Sequence, residues 1–368
     1  MSAVRPQALA ALARRYPDDY KRIYQSIKDG TPIDEVTVAE WATQWMVLRE
    51  RTVRPGTLNA DKASLNKWII PEIGDRPLAG LLRTDIRRVH HVMETAGLAD
   101  SSVQRTHAVL KVMLNDAVEE GHDVSDRTLR VAKPGGAGKA QRVAMTPDQA
   151  RMILAVAMKR ADASRWVAAI LQGMRPAEAL GLRWSAIDFE RGLMNIEWQL
   201  KPVPYRISRD RKSGFRTPRG FEAVHLIDSY HLVRPKTAAG VRVVPLVPYL
   251  RTELAAWAAI APVNDYGLVW SRDGGPTDAG IDRREWESIA EEADVWVTQP
   301  DGIRRRPLLY ECRHTAATLL MACGADETTI TGIVGHSKIT STQAYLHTDE
   351  ARKLAALNRV STQLGVTL

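Results

Sequence analysis

Cysteine is almost missing from this 368-residue sequence: Cys312 and Cys323 are the only two, eleven residues apart in one apolar stretch. Two thiols build neither a disulfide framework nor a four-ligand zinc site, so a reducing compartment is expected. No apolar run reaches the roughly 18 residues that a membrane-crossing helix requires. The first residues, with Arg5, Pro6 and the pair Arg14-Arg15, do not form a signal peptide. These absences lead to the expectation of a cytoplasmic protein with no membrane partner. There is also no P-loop, no metal-ligand spacing and no internal repeat, so no cofactor is expected. Hydrophobic residues make 45% and charged residues 26%, an ordinary globular balance that excludes wholesale disorder and suits two domains. Lys and Arg number 51 against 43 Asp and Glu, a net charge of +8. That excess suits a polyanion partner, although charge alone does not demand one.

The pattern along the chain is mainly α with a small β-sheet. Residues 1–36 read as a short helical N-terminal segment. Residues 37–132 read as a bundle of about four helices. Thr37 to Glu40 has capping-box spacing before Trp41, Trp45 and Leu48. A second helix starts at Gly56-Thr57 and is expected to stop at Pro71 and Gly74. Asp85 precedes a third, and Ser101 to Gln104, again with capping-box spacing, opens a fourth. Residues 133–143, rich in Gly and Lys, read as a flexible basic linker. Residues 144–368 read as an α+β domain. Thr146-Pro147-Asp148-Gln149 opens its first helix, strands are expected at 193–198 and 241–245, and the pattern from 247 onward is helical apart from Leu268-Val269-Trp270. Between Lys201 and Gly220 seven Lys and Arg residues face the single Asp210. Such a loop, with Arg211 and Lys212 at its centre, either rides on phosphates or is a solvated hairpin extension.

Four clusters in the second half carry chemistry beyond packing. Arg175 stands before Pro176, with Glu178 three residues on and able to orient its guanidinium. Lys236 lies in a turn just before a strand. Arg313, in Tyr310-Glu311-Cys312-Arg313-His314-Thr315-Ala316-Ala317-Thr318, opens a helix whose other face is small and apolar. An anion held at that helix start would explain the charge. Finally, Gly335-His336-Ser337 is followed by Tyr345, nine residues after the histidine, and then His347. Taken singly, each has a bland reading: a surface ion pair, a solvated lysine, a core tyrosine.

Taken together and in this order, the clusters resemble the tyrosine recombinase, or phage integrase, family. The strings around Arg313 and from Val334 to Tyr345 carry most of the likeness. The helical bundle, with Ile73-Gly74 after its second helix, is similar to the family's SAM-like core-binding domain. The resemblance implies a C-terminal α+β catalytic domain and a site-specific DNA recombinase, most like the integrase of a phage or mobile element. Two rivals are a catalytically inactive DNA-binding relative and a recombinase that resolves chromosome dimers. The resemblance further implies that Arg175 and Arg313 clamp a scissile phosphate of double-stranded DNA and that His336 adds a hydrogen bond. Tyr345 would attack to give a 3′-phosphotyrosyl link, and Lys236 would protonate the leaving 5′-hydroxyl. A tetramer on DNA, a C-terminal helix that either reaches a neighbouring subunit or packs in cis, and a possible directionality factor come with it. Arg304, Arg305 and Arg306 are further expected phosphate contacts. One position departs from the family: Tyr310 stands where a histidine is usual. A phenol with a reference pKa of about 10 can donate to a phosphate but is a poor base at neutral pH.

Overall fold

Thr37 caps the first helix as its spacing predicts. Its hydroxyl accepts from the Glu40 amide at 3.2 Å, and Glu40 accepts from the Thr37 N–H at 2.8 Å. Helix α1 (Val38–Thr52) follows. The computed structural model describes residues 36–135, 142–335 and 350–366; the segment 1–35, much of the linker, and His336 and Tyr345 lie outside them. The described residues divide into two compact units. One holds 36–135 together with 216–221, and the other holds 142–215, 222–335 and 350–366.

In the first unit α1 is followed by α2 (Pro55–Ser64), a wide π-turn (Leu65–Ile69) and α3 (Ile70–Ile73). The helical path therefore runs through Pro71 rather than ending there. The π-turn just before it closes with the Ile70 N–H on the Leu65 carbonyl, so the chain has already left regular α geometry where proline withholds its donor. Two expected helix starts are corrected. Asp85 does not precede α4 (Arg83–Thr95) but lies in its first turn, where its carboxylate reaches back to the Leu82 N–H at 2.9 Å. Ser101 does not cap α5 (Asp100–Glu119) either: the helix begins earlier, after Ala99. A short α6 (Asp126–Leu129) closes the unit, with Thr128 donating to the Leu81 carbonyl at 2.7 Å. Trp41, Trp45, Leu65, Ile69, Leu110 and Met113 fill the core. Both buried indoles find acceptors, Trp41 at the Met113 carbonyl (2.8 Å) and Trp45 at Asp116 (2.6 Å), so neither ring costs an unpaired donor.

Between α4 and α5, His90 Nε2 and His107 Nδ1 meet at 3.1 Å, both buried. Burial, then the charges of His90, Lys111 and Lys133, hold His107 down to about 4, and burial with Arg87 lowers His90. A histidine whose folded pKa lies below its unfolded value of about 6.5 is neutral in the fold, so the unfolded chain binds the extra proton first. Its contribution is complete above about pH 6.5 and is lost as pH falls toward 4, at most roughly 3 kcal/mol for a shift of this size. Thermal melts are expected to show a lower Tm at pH 4.5 than at pH 7, and His107→Gln should flatten that slope. An unchanged slope would acquit the pair.

In the second unit Thr146 and Gln149 form the expected reciprocal cap of α7 (Pro147–Ala157). Every residue of α8 (Ala163–Leu171) is buried. After it come α9 (Pro176–Leu180) and a chain of short strands: β1 (Ile187–Asp188), β2 (Leu193–Ile196), β3 (Gln199–Pro202), β4 (Ala223–Ile227), β5 (Tyr230–Val233) and β6 (Arg242–Pro245). They form two antiparallel sheets, ordered β1-β2-β6 and β3-β5-β4, with Met194 opposite Val244 in the first and Leu200 opposite Leu232 in the second. The second sheet was not legible as strands, because β4 is largely exposed and shows no clean alternation. Helices α10 (Pro248–Ile260) and α11 (Ala279–Glu292) follow, then a two-stranded ribbon, β7 (Val297–Thr298) with β8 (Arg304–Arg305), inside a stretch read as helical. The unit ends with α12 (Cys312–Ala322), α13 (Glu327–Val334) and α14 (Glu350–Gln363).

The last helix takes the second of its two expected placements. Ala356, Leu357 and Val360 are buried in this unit's own core, Lys353 Nζ donates to the Val243 carbonyl at 3.0 Å and Arg359 Nε to the Cys323 carbonyl at 2.9 Å. The apolar stripe is satisfied in cis, against α12, α13 and β6.

Candidate active site

Arg175 is the N-cap of α9, held extended (φ −68°, ψ 145°) just before Pro176. Its backbone N–H donates to Glu178 Oε2 at 3.0 Å, its Nη1 bonds Glu178 Oε1, and its Nη2 donates to the Gly335 carbonyl at 3.1 Å. The guanidinium is thus fixed on two sides while about a quarter of the side chain stays exposed. Gly335 ends α13 in the left-handed region (φ 71°), and a Cβ there would meet the Ala239 carbonyl oxygen at 2.7 Å. The expected partner pair Arg175–Glu178 is therefore present, and it also holds the backbone immediately before His336.

Glu178 is completely buried and serves two arginines. Arg242 Nη2 donates to its Oε2 at 2.9 Å. Arg242 also donates through Nε to the Ile333 carbonyl (2.7 Å) and through Nη1 to the Gly240 carbonyl (3.1 Å). One side chain thereby ties the end of the Lys236 turn, the Arg175 box and the end of α13 together. Burial would raise the carboxyl's pKa, but Arg242 and Arg175 outweigh it and hold it at about 2. The sequence reading missed Arg242. The signal was there in Val241-Arg242-Val243-Val244: a charge inside an apolar strand needs a buried partner.

Arg313 lies in the first turn of α12 and is 1% exposed. Its Nη1 donates to the Gly173 carbonyl at 3.0 Å, while its Nη2 is buried with no hydrogen-bond partner among the described residues. Gly173 is left-handed (φ 58°), and a Cβ would come within 2.9 Å of Val334 and 3.0 Å of Ala316. Glycine is what lets that carbonyl approach. Burial, then Arg242 and Arg175, bring Arg313 down to about 9, still well above neutrality, so the group remains a cation. Among the described residues, three guanidiniums and one buried carboxylate leave the pocket with excess positive charge, which an anion would balance.

Tyr310 sits one turn before α12, 37% exposed. Burial alone would push its phenol up; hydrogen bonds from Arg142 and Arg175, and then their charges, leave it below the usual value. A phenol oxygen that accepts from arginines keeps its own proton free to donate outward.

The remaining predicted residues are less convergent. Lys236 is exposed in the turn between β5 and β6. Arg211 pairs with Asp228 at 2.7 Å on the surface, and Lys212 is exposed beside it. Of the arginine run, Arg304 is exposed, its guanidinium 5.5 Å from the Trp296 ring centroid. Arg305 is committed to Glu311 at 2.8 Å, and Arg306 to Asp294 at 3.0 Å and to the face of Trp296. Those two brace the ribbon and the start of α12. His336 and Tyr345 lie outside the described residues.

Comparison with known proteins bears on this arrangement. Residues 143–352 match the phage integrase family, and residues 37–93 match the phage integrase N-terminal SAM-like domain. An integrase of Saccharopolyspora erythraea is 21% identical over 89% of this chain and 82% of its own length. A tyrosine recombinase XerC-like protein of Caldanaerobacter subterraneus is 24% identical over 91% of this chain and 86% of its own. The Tn1549 transposon integrase, solved with transposon right-end DNA, has the same fold at a TM-score of 0.64 and 18% identity, covering 88% of this chain and 99% of that one. A lambda integrase tetramer bound to a Holliday junction gives 0.59 at 16% identity, covering 93% and 84%.

Proposed function

The chain belongs to the phage integrase family of tyrosine site-specific recombinases, and on that premise we propose how its own residues divide the work on DNA. Arg175 and Arg313 grip the non-bridging oxygens of a scissile phosphate, and His336 donates a third bond. These donors stabilise the charge that develops in the phosphoryl-transfer transition state. The Tyr345 phenol gives up its proton to water as its oxygen attacks phosphorus, the bond to the 5′-oxygen breaks, and Lys236 delivers to that leaving oxygen a proton that it regains from solvent. The DNA is left joined by a 3′-phosphotyrosyl bond. The 5′-hydroxyl of the partner strand then attacks phosphorus and expels the tyrosine. Each phosphodiester is exchanged for another bond of like energy, so the cycle calls for neither ATP nor a metal ion. Tyr310, whose phenol lies beside the charges of Arg142 and Arg175, donates a hydrogen bond to the phosphate. It is a hydrogen-bond donor in this scheme and not the base.

The observation that carries this reading is the buried Nη2 of Arg313, which has no partner among the described residues, in a pocket where those residues place more guanidiniums than carboxylates. Assembly as a tetramer on two DNA sites, integration or excision of a mobile element, and a directionality factor that biases the two belong to the same proposal. Arg211, Lys212 and Arg304 are its proposed contacts to flanking phosphates, now without Arg305 and Arg306. The test is a nicked duplex carrying the cognate junction, incubated in EDTA. A covalent protein–DNA adduct with a free 5′-hydroxyl is expected. No adduct, or one that appears only with added magnesium, would contradict the scheme.

A further inference from the structure

We infer that Arg142 is a further positioning residue of the strand-transfer site, acting through Tyr310. Arg142 lies near the end of the stretch read as linker, and by sequence it is one more basic residue of that stretch. It is exposed to solvent, yet its guanidinium is engaged on two neighbouring side chains. The guanidinium lies over the Tyr310 ring, 4.3 Å from the centroid, and its Nη1 is 3.2 Å from His314 Nε2. Tyr310 and His314 are one helical turn apart, with ring centroids 6.3 Å from each other, so one planar cation bridges both. With Arg142 as donor, His314 Nε2 must be the acceptor, which places the imidazole proton on Nδ1 and keeps the ring neutral. Burial, then the charge of Arg142, lowers His314 in the same direction.

The backbone that carries Arg142 is stitched to the same element. The Val143 N–H donates to Glu311 Oε1 at 3.2 Å, and the Met145 N–H donates to Thr315 Oγ1 at 3.0 Å. Glu311 is itself fixed by Arg305, and Thr315 donates back to the Glu311 carbonyl at 3.0 Å. The strap 142–145 therefore runs along the start of α12 in a set register, and Arg142 arrives at Tyr310 with little freedom left to lose. Tyr310 needs such a brace. It is more than a third exposed, and a phenol free to swing would donate to the phosphate only part of the time. A cation over one ring face, with the charge of Arg175 beside the phenol, favours one rotamer and leaves the hydroxyl proton free to be donated. Lysine cannot stack on the ring and reach His314 with one plane, so charge alone does not replace Arg142.

This inference rests on the donor role proposed for Tyr310, and a double-mutant cycle separates the two. Single-turnover cleavage of a nicked duplex is measured for wild type, Arg142→Ala, Arg142→Lys, Tyr310→Phe and Arg142→Ala/Tyr310→Phe, with DNA affinity measured beside each. Arg142→Ala should slow cleavage about tenfold, Arg142→Lys nearly as much, with affinity within about twofold of wild type. In the Tyr310→Phe background the same Arg142→Ala change should cost less than about twofold, because its target is already gone. An equal loss in both backgrounds, or a loss seen as weakened binding, would put Arg142 on DNA or in the general fold and overturn the inference. Full activity of Arg142→Lys would reduce it to a charge effect and overturn it as well. If Tyr310→Phe cleaves at the wild-type rate, the donor role of Tyr310 fails by itself; slow cleavage by Arg142→Ala would then show Arg142 acting without it.

Discussion

Arg313→Lys is expected to bind its DNA site within about threefold of wild type and to cleave it roughly 10²–10³ times more slowly, the usual cost of removing one preorganised donor to a developing oxyanion. The reason is geometric. Arg313 already gives Nη1 to the Gly173 carbonyl, which leaves Nη2 for the phosphate. Lysine offers one compact ammonium that cannot serve both at the same angle. The site is buried and closely packed on Gly173, so neighbouring side chains have little room to move in and compensate. Site affinity comes mainly from many phosphate contacts elsewhere and should hardly register the change. Single-turnover cleavage within fivefold of wild type would show that Nη2 does not meet the reacting phosphate.

Glu178→Gln should damage both stability and chemistry. The carboxylate is buried and neutralises Arg175 and Arg242 at once. Removing its charge while keeping its shape leaves Arg175, Arg242 and Arg313 facing one another in a low-dielectric pocket. Breaking a buried ion pair from one side costs about 3–5 kcal/mol, and urea melts should show a loss of that size. Cleavage should fall as well, because Arg175 loses the group that aims it. The pH dependence gives an independent check. The folded carboxyl titrates near 2, below its ordinary value of about 4.5, so it stabilises the fold fully above pH 4.5 and loses that contribution as pH falls toward 2. Glu178→Gln should remove that segment of the acid-stability curve while leaving the histidine-dependent segment above it. A variant with wild-type stability and an unaltered acid limb would mean the carboxylate is dispensable.

The family strings were legible because each joins a charge to a fixed helix boundary: Arg175 before Pro176, Arg313 in the first turn of α12, Gly335 at the end of α13. The reciprocal caps at Thr37 and Thr146 were read correctly for the same reason, since the signal and the structure are three residues apart. What escaped was non-local. Arg242 matters because a carbonyl and a carboxylate from two distant segments, Ile333 and Glu178, converge on it, and Arg142 because a strap happens to run beside α12. Around Arg142 nothing within a few residues announces that meeting, and around Arg242 the apolar strand says only that a buried partner is needed, not which one. The β3-β5-β4 sheet shows no period of two because β4 is largely exposed while His231, Leu232 and Val233 of β5 are buried in succession. The destination of α14 was undetermined for a related reason: an amphipathic stripe says that a surface will be covered, not by which chain. In the run Arg304-Arg305-Arg306 composition was misleading, since two of the three charges are paired internally by Glu311 and Asp294.

The account turns on which tyrosine becomes linked to DNA, since Tyr310 and Tyr345 both belong to the proposed site. The direct measurement is to trap the covalent adduct on a nicked duplex, digest it with protease and locate the nucleotide-bearing peptide by mass spectrometry. The phosphodiester should be found on Tyr345, and Tyr345→Phe should bind the same duplex while trapping nothing. A nucleotide on Tyr310, or undiminished trapping by Tyr345→Phe, would contradict the account.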